Sequence, residues 1–114
     1  MKELLKDEAE IKRRLCEGLT GPTLSLVLDR RLVDIEAVRK VILKYEVGNL
    51  IDSRLLPLKG EAEQSFVLVI RLKEKECVAS CDEKCGSRDT MCFGDCFFEC
   101  LSSIRDEVES KLCR

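Results

Sequence analysis

The sequence predicts a mainly α-helical chain that carries one small β-hairpin and ends in an antiparallel helical hairpin. Three observations lead there. Apolar residues recur at helical spacing through the first part of the chain, and the period then changes to short Leu, Ile, Val and Phe runs at 50–56 and 65–72. Finally, Cys16 is the one cysteine before residue 77, and the other seven lie between 77 and 113. That distribution divides the chain into a core-forming unit, residues 1–73, and a cysteine-rich helical unit, residues 74–114. No Pro/Ser-rich linker separates them, so the two are expected to pack together.

The elements follow in order. Leu4, Ile11, Leu15 and Leu19 stand among charges over residues 2–17 and predict an amphipathic first helix, ended by Gly18 and Gly21-Pro22. Thr23 and Ser25 then suit the cap of a second helix containing Leu26, Val27 and Leu28, although LSLVL also fits a strand followed by a crossover helix. Asp34 predicts the N-cap of a third helix, with Ile35, Val38, Ile42 and Tyr45 inward and an end near Gly48-Asn49. The two apolar runs with Lys59-Gly60 between them predict the β-hairpin. Gly86 ends a first cysteine-bearing helix, and Asp89 or Thr90 caps the last one.

Composition narrows the setting. The chain has 114 residues, a formal charge of -2, 37% charged and 45% hydrophobic residues, a size for one domain with an appendage and too apolar for wholesale disorder. It has no apolar run of the roughly 20 residues that span a bilayer, and MKELLKDEAEIKRR is too charged for a signal peptide, so a cytoplasmic protein is expected. Asn49 and Gln64 are the sole side-chain amides and Lys and Glu are abundant, a hyperthermophile tendency that tolerates intracellular disulfides. With no His, the common His-based catalytic dyads and Cys/His zinc sites cannot be built, and no phosphate loop or nucleophile elbow appears. No enzyme is expected.

Helix, helix, helix, hairpin, with TLSLVLDRRLVDIEAVRKVILKYEVGNLI at its centre, resembles the winged helix-turn-helix superfamily, especially small archaeal MarR-like regulators. The resemblance covers roughly residues 8–75, with Glu46, Leu50 and Ile51 leading into a wing, DSRLLPLKGEAEQSFVLVIRL. The stretch departs from that family where Leu28 replaces a small Ala, Asn49 a Gly, and Glu36 places an acid on the recognition helix. The resemblance implies double-stranded DNA as partner, an archaeal or archaeal-viral transcription regulator, and a homodimer through terminal helices. The candidate contacts are Arg39 and Lys40 at guanine edges, Glu36 outward on the same helix, Lys44 at phosphate, Ser25 near a helix start, Arg30 and Arg31 in the turn, and Arg54 and Lys59 on the wing. Residues 23–60 hold a small excess of Lys and Arg, which suits DNA, but the acidic pI leaves a solvated charged face, or docking on another protein, as rivals.

Six cysteines are arranged as Cys77-x3-Cys81-x3-Cys85 and Cys92-x3-Cys96-x3-Cys100. Spacing of four places each trio along one helix face, and a turn at 86–90 sets Cys77 opposite Cys100, Cys81 opposite Cys96 and Cys85 opposite Cys92. The pattern is similar to plant α-hairpinins and to twin Cys-x3-Cys mitochondrial chaperones. Structural disulfides, with no cofactor, are the expected reading. Two neighbouring rungs, Cys77, Cys81, Cys96 and Cys100, could instead hold zinc, copper or an iron–sulfur cluster, and a reversible redox switch is a third possibility. Cys16 and Cys113 remain as a fourth bridge, an intersubunit bond, or two buried thiols. Phe97, Leu101, Ile104, Val108 and Leu112 form a stripe for a dimer interface over 97–112 or for packing within the chain. The expected function is a DNA-binding transcription regulator. The alternative is a winged-helix protein-interaction subunit whose cysteines bind metal.

Overall fold

The computed structural model describes residues 4–57, 66–86 and 88–114. Helix α1 spans Glu8–Leu19, strand β1 Ser25–Asp29, helix α2 Ile35–Lys44, strands β2 and β3 Ile51–Pro57 and Phe66–Leu72, and helices α3 and α4 Glu74–Cys85 and Thr90–Leu112. The fold is thus mixed α/β, with one antiparallel sheet in the order β1-β3-β2.

Local chemistry explains most of these boundaries. The Asp7 carboxylate accepts from the Ala9 N–H and starts α1, and Asp34 does the same for α2 through the Glu36 N–H. Ile11, Leu15 and Leu19 are one buried face of α1. At Gly18 a side chain would lie 2.6 Å from the Leu26 Cβ, so glycine permits the close approach of α1 to β1. The left-handed residue that closes α2 is Glu46, at φ 56°, rather than Gly48 or Asn49.

The helix expected over Leu26–Leu28 is strand β1 instead. Thr23 does not cap a helix: its hydroxyl donates to the Ser25 carbonyl, and Leu24 takes φ 53°, outside the helical region. Leu28 then faces Leu68 on β3 and is buried, while Val27 points the other way and is 62% exposed. The alternation of a half-covered strand won over helix propensity. Consequently no second helix stands between α1 and α2, and the helix-turn-helix pair of the expected scheme is not formed as two successive helices.

One sheet face, with Leu28, Leu68, Ile70, Leu72 and Ile51, packs on α1 and the end of α4. Val108 and Leu112 belong to this core, so that part of the expected dimer stripe is used within the chain. Cys16–Cys113 ties α1 to the end of α4, with Cα atoms 5.3 Å apart. Lys111 Nζ donates to the Glu46 carbonyl and Lys12 Nζ to the Arg114 carbonyl, fastening the same corner. Helix α3 packs on α4 as an arm, which gives extents of 54 × 37 × 20 Å.

The arm holds the nested pairs Cys77–Cys100, Cys81–Cys96 and Cys85–Cys92, with Cα separations of 5.7, 5.7 and 5.6 Å. These are the three expected rungs, and of the alternatives left open for Cys16 and Cys113 the structure has the bridge within the chain. The turn uses Gly86 at φ 72° and Asp89, whose carboxylate accepts from the Cys92 N–H. Phe98 points away from the seam and is 71% exposed, while Phe97 stacks on Phe93.

Candidate functional site

Helix α2 has one buried and one exposed face. Val38 and Val41 are buried, which turns Glu36, Arg39, Lys40, Leu43 and Lys44 to solvent along one side. Their spacing repeats at three and four residues, the period of a single helix face. Leu43, in the middle, is 76% exposed.

Carboxylates temper the charge of this face. Arg39 pairs with Glu36 at 3.4 Å, and Lys44 reaches across to Glu8 on α1 at 2.7 Å. The hydrogen bond that Lys44 donates to Glu8, and then the Glu8 charge, raise the Lys44 pKa above the ordinary lysine range. Lys40 is exposed and has no ion-pair partner among the described residues.

Arg30 and Arg31 follow β1. The Arg30 guanidinium lies over the Phe66 ring at 5.8 Å, and with Glu36 and Arg39 it lines a cleft of about 330 Å³ at the start of α2. Arg31 is bound to Asp29 at 2.9 Å, and its side-chain and backbone hydrogen bonds hold the Asp29 pKa below the usual carboxylate range. Structure therefore brings Arg30, Glu36 and Arg39 together beside Lys40 and Lys44.

The other candidates lie elsewhere. Ser25 opens β1 opposite Arg71, so there are no helix-start amides beside its hydroxyl. Arg54 opposes Val69 and stands on the outer sheet face, away from the side on which Leu55 borders the α2 cleft. Lys59 lies outside the described residues. The cysteines of the metal alternative, Cys77, Cys81, Cys96 and Cys100, are consumed in two bridges. Among the described residues no group of His, Cys, Asp or Glu is arranged to hold a metal ion. No helix among them is long and apolar enough to cross a membrane.

Arg71 and Lys75 escaped the sequence reading. Together with Arg54 they line a groove of about 310 Å³ between the outer sheet face and the start of α3. The available signal was an arginine at an outward position within the apolar run FVLVIRL. No family model, curated protein or solved structure matches the chain.

Proposed function

We propose that the protein binds double-stranded DNA, with α2 entering the major groove and the β2–β3 hairpin acting as a wing. In this winged-helix arrangement β1 stands in place of the usual second helix. The uncovered face of α2 carries the reading: Arg39, Lys40 and Lys44 are presented on one helix side, and a β-hairpin follows directly. Arg39 and Lys40 supply donors for guanine edges, and Lys44 for phosphate. The pairs with Glu36 and Glu8 are exposed and weak, so phosphate can replace those carboxylates.

As a regulator the chain would act as a homodimer joined by the free part of the arm, where Phe97 and Leu101 are half-buried and Phe98 and Met91 exposed. Two copies would then set two α2 faces on one duplex. Light scattering of the wild type and Phe98→Glu tests this; a wild-type monomer at high concentration removes the dimer while leaving DNA binding open.

The decisive experiment is duplex binding by fluorescence anisotropy at two salt concentrations. Arg39→Ala should cost ~1–3 kcal/mol at a specific site and relax its preference. Lys44→Ala should weaken all sequences and flatten the salt dependence. Lys84→Glu, on the arm, should change little. If the wild type retains no duplex at low salt, the DNA reading is lost. The reading that then gains is docking of α2 on another protein, which the exposed Leu43 at the centre of a largely neutralised face favours.

A further inference from the structure

Among the described residues, helices cover the core sheet on one side only. On the other, Val27, Val67, Val69 and Leu56 form an apolar floor across three strands, with Val27 62% exposed. Arg71 stands on this floor opposite Asp52, and Arg54 stands diagonally across from Arg71, beside Val69. Neither arginine, nor Lys75 at the start of α3, forms an ion pair among the described residues. That pattern is unlike the α2 face, where the neighbouring carboxylates are engaged.

We propose that the groove lined by Arg54, Arg71 and Lys75 is a binding site for a small organic anion with an apolar body. Its volume of about 310 Å³ suits a small molecule. Arg54 and Arg71 are like charges on diagonal positions; Asp52, opposite Arg71, offsets part of their repulsion, and a bound anion would offset the rest. A carboxylate or sulfonate can accept from both forks. The apolar body then covers Val69 and Leu56, which also line the groove. Asp52 and Glu74 line the groove as well, and they limit the site to a single negative charge. This distinguishes the ligand from phosphate or a nucleic-acid backbone, and the site is independent of the α2 reading.

The probe is 8-anilinonaphthalene-1-sulfonate, titrated into the oxidised full chain and followed by fluorescence. Saturable binding is expected, weakened about tenfold or more by Arg71→Gln and by Arg54→Gln, the scale of losing one charge-assisted contact. Both variants replace exposed side chains, and circular dichroism checks each fold. Decanoate should displace the dye, whereas decanol and inorganic phosphate at equal concentration should not. Unchanged binding in both variants overturns the site. So does a signal abolished by Phe98→Ser, which would place the dye on the arm, and so does equal competition by phosphate or decanol.

Discussion

Two regions of this chain solve the stability problem by different means. In the sheet-bearing unit, Ile11, Leu15, Val38, Val47, Ile70 and Leu72 are wholly buried, and α1, α2 and the sheet share that core. Along the arm from 74 to 100, the fully buried side chains among the described residues are Cys77 and Cys81. Each buried Leu or Ile stabilises by roughly 1.5–3 kcal/mol, and the arm has almost none of that to offset the ordering of its backbone. Its rungs act instead on the unfolded chain, by closing loops of short sequence separation: 23, 15 and 7 residues. Sulfur takes the place of a core where two helices approach too closely to admit one.

The largest expected effect is loss of the arm on reduction. With Cys77, Cys81, Cys85, Cys92, Cys96 and Cys100 all changed to Ser, residues 74–100 should lose helix while the sheet persists. Single bridges of this kind contribute ~2–4 kcal/mol, with diminishing returns for nested ones. Hydrogen exchange reads this directly: amides of 77–85 should exchange at the rate of an unfolded chain, and those of 68–72 should stay protected. Protected amides in both segments would mean that the arm has an apolar packing sufficient by itself.

Cys16–Cys113 tests the same contrast from inside the well-packed unit. Its sequence separation of 97 residues gives the longest loop in the molecule, and the loop-entropy relation assigns it about 4–5 kcal/mol. Because Val108 and Leu112 already hold the end of α4 against α1, Cys16→Ser with Cys113→Ser should leave the fold intact and lower its denaturation midpoint. If the midpoint does not move, the apolar contacts alone fix this corner. Ile70→Ala comes next. Ile70 is fully buried on β3, between Leu26 on β1 and Ser53 on β2, and its truncation should cost ~2–5 kcal/mol without altering the arm's disulfides. Denaturant melts and peptide mapping of the unreduced variant measure both.

The arm was legible because its rule is local: spacing of four, a Gly and an Asp at the turn, and the pairing follows from folding once. The caps at Asp34 and Asp89 and the β2 and β3 runs were legible for the same reason. Strand β1 was not, since the short apolar run Leu26-Val27-Leu28 suits helix or strand until Leu28 meets Leu68 across the sheet. The end of α2 depends on Glu46, a residue type with no preference for a left-handed backbone. The site suffers most from this limit. Arg39 and Lys40 were placed outward correctly, but the capture of Lys44 by Glu8 and the separation of Arg54 from α2 depend on how distant segments meet.

The smallest expected effect concerns Asp29, next to the α2 cleft. Its carboxylate accepts from the Arg31 side chain and backbone N–H, and those bonds lower its pKa. A depressed folded-state pKa stabilises above the unfolded value, about 3.9 for Asp, and the contribution is lost as pH falls through the folded value. Between neutrality and pH 5 this group should therefore leave the melting temperature unchanged, with loss confined to more acidic solution. Carbon-detected NMR titration should give Asp29 a midpoint below that of an ordinary Asp, and Arg31→Gln should return it toward the ordinary value. The exposed pair is screened by salt, so added sodium chloride should shift the midpoint in the same direction. A wild-type midpoint at the ordinary value would show that the bonds between Asp29 and Arg31 do not hold in solution.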